Sequence, residues 1–76
     1  MPTVLRKNGF EVMIYTQDHI PAHVHVWRAG GEIVVNIATL EITKAEDMSR
    51  RDSARAVEIV EENQRYLLGR WREIHG

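Results

Sequence analysis

Seventy-six residues make one small domain, 1–76. A chain of that size buries only about 60–65% of its unfolded surface and leans on metal, disulfides or a partner for reinforcement. It holds no cysteine, which excludes disulfides and thiolate zinc sites, and its net charge of -1 lacks the basic excess of a dedicated nucleic-acid binder.

Contact with RNA would therefore be local at most. Arg6, Lys7 and Asn8 interrupt the first apolar residues, so no signal-peptide pattern forms. No apolar run approaches the roughly 20 residues of a membrane span. The expected location is the cytoplasm, with no membrane partner.

The chain opens with a β-prone run over residues 1–6. Lys7-Asn8-Gly9 is a turn signal, because Asn-Gly readily takes positive φ. The run Phe10–Thr16 predicts a second strand. It is apolar on both faces, Val12 and Ile14 on one and Met13 and Tyr15 on the other, which suggests a central or doubly covered strand. Residues 17–21 read as a loop in which Pro21 restricts Ile20 to extended conformations. From His23 the pattern has period two. His23, His25 and Trp27 share one face, and Val24 and Val26 share the other. Ala29-Gly30-Gly31 predicts a hairpin turn, and Glu32–Ile37 returns as the next strand. Leu40–Ile42 reads as a short edge strand.

The second half is helical. Ser49-Arg50-Arg51-Asp52 has the form of a capped helix start. Thr43-Lys44-Ala45-Glu46 has the same form, which allows one turn at 44–48. Ser49 is preferred because the long apolar period begins just after it. Val57, Val60, Gln64, Leu67, Trp71 and Ile74 step by three and four, so one long helix is expected up to about His75. Gly69 reads as the place for a bend. Ile59 and Tyr66 lie roughly opposite this stripe and suggest contact with a second copy or a partner chain. Arg50, Arg51 and Arg55 crowd the helix N-terminus, where the dipole disfavours cations. That crowding reads as a solvated charged face or as a contact for an anion or acidic partner. The expected fold is α+β: a small, mostly antiparallel sheet of three to five strands with a long C-terminal helix packed on one face.

The candidate functional stretch is Asp18-His19-Ile20-Pro21-Ala22-His23-Val24-His25. His23 and His25 are two apart on a strand, so both imidazoles leave the same face and can share one metal ion. His19 sits before the turn and could fold back as a third ligand. Asp18 could be a ligand or orient an imidazole from behind. His75 could approach only if the helix end returns to this strand. Three neutral nitrogens with an open position would suit a divalent metal such as Zn²⁺. The same histidines could instead act as general bases or phosphate contacts, or simply hold the turn. No phosphate loop or nucleophile motif competes.

These residues also carry a family likeness. Met1-Pro2-Thr3-Val4-Leu5, His19-Ile20-Pro21-Ala22-His23-Val24-His25-Val26 and Glu62-Asn63-Gln64 with Leu67, Leu68 and Trp71 resemble domain-of-unknown-function family 4160 along the whole chain. The family pattern is His-x-Pro-Pro-His-x-His-Val, and this chain departs from it at Ala22. The resemblance implies a prokaryotic cytoplasmic protein, often encoded beside a small protein of family 2442 in what looks like a toxin–antitoxin arrangement. It transfers no catalytic residue; His19, His23 and His25 carry over as signature positions only. Two readings follow. One is an interaction module acting with a second chain, as a homo-oligomer or as half of a toxin–antitoxin-like pair. The other is a His-based or metal-dependent hydrolase or ribonuclease centred on the three histidines.

Overall fold

The computed structural model describes residues 2–76. Five strands come first: β1 (Thr3–Lys7), β2 (Phe10–Met13), β3 (His23–Arg28), β4 (Gly31–Asn36) and β5 (Ile42–Glu46). Two helices follow, α1 (Arg50–Glu62) and α2 (Gln64–His75). The strands form one antiparallel meander in the order β1-β2-β3-β4-β5, which puts β3 in the centre. The expected α+β fold holds, at five strands.

Local chemistry explains the turns. Asn8 and Gly9 both take positive φ, 52° and 83°, as a tight two-residue hairpin needs. Ala29 and Gly30 do the same at 49° and 84°. Gly31 therefore starts β4 rather than closing the turn. It must be glycine for another reason: a Cβ there would collide with the Asp47 carbonyl.

The alternation in β3 decides which face is covered. Val24 and Val26 are fully buried, as are Val12, Ile33 and Val35 on the same side of the neighbouring strands. They pack with Ala56, Ile59, Val60, Leu67 and Trp71 of the helices. Burying each large aliphatic side chain is worth about 1.5–3 kcal/mol, so this single layer supplies most of the driving force.

Three expectations need correction, and one, the Ser49 cap, holds. Residues 44–46 belong to β5, not to a helical turn, because their backbone pairs with β4. Ser49 is the cap of α1, and its hydroxyl accepts from Asp52 N at 3.0 Å. The single long helix is two helices. The break falls at Asn63 (φ -118°, ψ 21°), not at Gly69, which lies inside α2. The Asn63 side chain donates to Ile59 O at 2.8 Å and so competes with the helical backbone for that carbonyl. Gln64 then donates to Ile37 O at 2.6 Å, tying the start of α2 to the exit of β4.

The break changes the role of Ile59. In α1 the buried face is Ala56, Ile59 and Val60, and Ile59 has no exposure, so it is core and no partner can reach it. The opposite-face reading failed because it ran one helical phase through both helices. Tyr66 is 48% exposed, and its hydroxyl donates to Val4 O at 2.8 Å, latching α2 to the edge strand β1. Arg55 pairs with Glu58 and Glu62 of its own helix at 3.4 and 3.7 Å.

Denaturant unfolding checks both helix assignments. Ile59→Ala should cost about 2–5 kcal/mol, as expected for a buried isoleucine. Gly69→Ala should be neutral or stabilising by up to about 1 kcal/mol, because a Cβ at Gly69 meets no atom within 4 Å. An unaffected Ile59→Ala variant would remove Ile59 from the core.

Candidate metal centre

The face of the sheet turned away from the helices carries the polar chemistry. His23 and His25 project from it, and β2 ends beside them at Met13, opposite His25. The chain then continues through Tyr15 to Asp18. The backbone N–H of Asp18 donates to Tyr15 O at 3.1 Å, and the Tyr15 N–H donates to Asp18 Oδ2 at 3.1 Å. This tight turn returns the Asp18 carboxylate over β3. The Ile20–Pro21 peptide that follows is cis.

Asp18 Oδ2 lies 3.3 Å from His25 Nε2 and 3.5 Å from His23 Nε2. The three groups offer donor atoms all within 4.8 Å of one another. Four-coordinate ions with bonds near 2.1 Å hold their ligand atoms about 3.4 Å apart, so the Asp18-to-imidazole spacings suit one ion.

The far nitrogens fix the rings. His23 Nδ1 lies 2.8 Å from Pro21 O, and His25 Nδ1 lies 2.8 Å from Glu32 Oε2. A carbonyl and a carboxylate can only accept, so both Nδ1 atoms carry hydrogen and donate. In each neutral ring the Nε2 lone pair then faces the Asp18 carboxylate, acceptor against acceptor. Two states relieve that conflict: protonated rings paired with Asp18, or a cation seated among the three groups. Imidazoles that donate their far N–H to a carboxylate or carbonyl are the usual arrangement behind a bound metal.

The surroundings are half dry. Asp18, His23 and His25 side chains are 15%, 20% and 17% exposed. Tyr15 packs edge-on against His25 with ring centroids 4.6 Å apart, and its hydroxyl reaches Met13 Sδ at 3.3 Å. Glu32 is nearly buried, and its second oxygen lies 3.7 Å from Lys44 Nζ. Hydrogen bonding to Glu46, with the charges of Glu46 and Glu32, raises the Lys44 ammonium above its usual range.

Not every expected residue joins the cluster. Asp18, expected as a ligand or an orienting group, stands in direct contact with both rings. His19 is exposed and lies outside the cluster, lining the depression on the other side of His23 with Ile20 and Asn36. His75 does return to the site: its ring is stacked on Trp71 at 3.8 Å, and Trp71 in turn lies 5.3 Å from His23. His75 Nε2 lies 3.1 Å from Tyr15 O and Nδ1 lies 3.1 Å from Trp71 O. It braces the loop and does not touch the ligand group. Glu32 was missed, although a two-residue turn at Ala29-Gly30 pairs Trp27 with Glu32 and so sets Glu32 diagonally from His25 on the same face.

The model of the family described as Domain of unknown function (DUF4160) matches residues 9–72, and the chain belongs to that family. The match spans the whole Asp18–His25 segment and both helices apart from the last turn. No curated protein and no solved structure matches the chain. Among the described residues, no helix is long and apolar enough to cross a membrane.

His75→Ala should cost about 1–3 kcal/mol by removing the brace and the stacking on Trp71. Thermal unfolding of the variant measures this. A variant as stable as the wild type would show that the contacts to Tyr15 and Trp71 contribute nothing.

Proposed function

We propose that this protein binds one divalent transition metal ion through Asp18, His23 and His25, and that the ion serves hydrolysis. The observation that carries the reading is the approach of two imidazole Nε2 atoms to one carboxylate, with both Nδ1 atoms 2.8 Å from other acceptors. Two imidazoles and a carboxylate suit Zn²⁺, Fe²⁺ or Mn²⁺, and three protein ligands leave a position for water. Held by Asp18, His23 and His25, such an ion would supply Lewis-acid activation of a water nucleophile. Glu32 would fix the ring of His25 from behind.

Calorimetric titration of metal-free protein with Zn²⁺, Ni²⁺ and Mn²⁺ tests the reading. The expected result is one ion per chain. Asp18→Ala, His23→Ala and His25→Ala should each lose at least tenfold in affinity, with circular dichroism unchanged. His19→Ala should bind as wild type does. The reading fails if uptake does not saturate or if the three ligand variants bind normally.

A second reading, an interaction module acting with another copy or a small partner of the family 2442 kind, rests on different features. Ile20 is 85% exposed at the tip of the 17–21 loop, and every residue of the edge strand β5 is exposed. Such an edge pairs readily with another strand. Light scattering at rising concentration should then show a dimer, and Ile20→Ser or a proline at Thr43 should reduce it. A concentrated wild-type protein that stays monomeric would remove the homo-oligomer.

A further inference from the structure

A cleft of about 610 Å³ runs between the 14–18 segment and α2. Tyr15, Thr16, Gln17 and Asp18 line one wall, and Arg70 and Ile74 line the other. His75 holds the walls at this spacing through Tyr15 O. Asp18 is the one residue that belongs both to this cleft and to the ligand group. A molecule at the Asp18 end of the cleft would therefore border the ligand group.

The lining selects the chemistry. Arg70 donates from Nη1 to Glu73 at 2.7 Å while its side chain remains 37% exposed, so the guanidinium is oriented and still offers donors. Thr16 and Gln17 add an exposed hydroxyl and an exposed amide. The depression on the other side of His23, lined by His19, Ile20, Pro21, Val34, Asn36 and Thr43, contains no lysine or arginine. Among the described residues, Arg70 is thus the one lysine or arginine lining either depression, and an anionic group would find its charge partner on that side. A tetrahedral dianion can give separate oxygens to a metal ion and to a planar guanidinium fork.

We infer that this cleft binds a phosphate group of the substrate, anchored by Arg70 and presented to the ion held by Asp18, His23 and His25. The inference rests on the metal reading above and makes the substrate a phosphate ester. In the reaction the water oxygen forms the new P–O bond and the ester P–O bond breaks. The proton lost by the water ends on the leaving oxygen. Arg70 would hold the phosphate against the developing charge.

Protein loaded with one equivalent of Zn²⁺ is titrated with methylphosphonate, a phosphate mimic that is not hydrolysed, and with acetate. Methylphosphonate should bind saturably, and more tightly than acetate. Arg70→Gln should weaken methylphosphonate at least tenfold while taking up Zn²⁺ as wild type does. Glutamine keeps the helix propensity of arginine, so α2 should persist. Normal Zn²⁺ uptake without methylphosphonate binding overturns the inference and leaves the metal reading standing. Equal binding by Arg70→Gln, or acetate binding as tightly as methylphosphonate, does the same. Failure of the wild type to take up Zn²⁺ overturns both.

Discussion

The structure depends on the sidedness of β3. This strand lies in the middle of the sheet, paired on both edges, and its side chains alternate between the helical layer and the opposite face. Val24 and Val26 hold the core together. His23 and His25 cannot join them without carrying two polar rings into an apolar layer, where each unpaired nitrogen would cost about 1–3 kcal/mol. A slip of one residue would exchange the two sets completely. The packing that stabilises the fold therefore also sets the direction in which both imidazoles point. Their spacing is a property of the sheet and owes little to loop conformation.

The loop contributes only what the strand cannot. The carboxylate comes from outside β3, because Val24 and Val26 beside the histidines face the core and Trp27 fills the next position on their own face. Asp18 arrives from a turn pinned by its own exchange of hydrogen bonds with Tyr15. Tyr15 is held in turn by His75 at the end of α2. On the far side of His25, Glu32 comes from β4 and shares the sheet register. His25 thus stands between two carboxylates, and Lys44 offsets the outer one. The pattern places two carboxylates around His25, a concentration of negative charge that favours a cation beside the rings.

Much of this was legible from residue pattern. Period two between His23 and Ile37 gave the central hairpin and the common face of the two histidines. Ser49 gave the helix start through its capping chemistry. What failed was phase. A continuous 3.6-residue period placed Ile59 in solvent, because no single-sequence signal at Asn63 is strong enough to stop a helix. Asparagine is only mildly unfavourable inside one. The break depends on Asn63 and Gln64 finding particular carbonyls at Ile59 and Ile37, and that is a tertiary event. Glu32 was overlooked for a different reason. Its role needs cross-strand register, which follows from turn length and not from its neighbours in sequence. Asp18 and His19 are adjacent, and sequence spacing alone could not say which of them would turn inward.

The break at Asn63 has a consequence for the site as well as for the core. If α1 and α2 continued as one straight helix, a single stripe would have to serve both the sheet interior and the far end of β3. Two segments relax that demand. α1 buries Ala56, Ile59 and Val60 in the middle of the layer, and α2 starts afresh from the Gln64 contacts with Ile37 and Ala38. Its own stripe then carries Leu67 into the core and Trp71 to the edge, where the indole meets His23. One turn later His75 reaches Tyr15, and Arg70, on the adjoining side, lines the cleft next to Asp18. The C-terminal segment is therefore both a cover for the apolar face and a wall of the site on the opposite one. In a chain of 76 residues without cysteine, the same few contacts have to secure the fold and hold the ligand group in place.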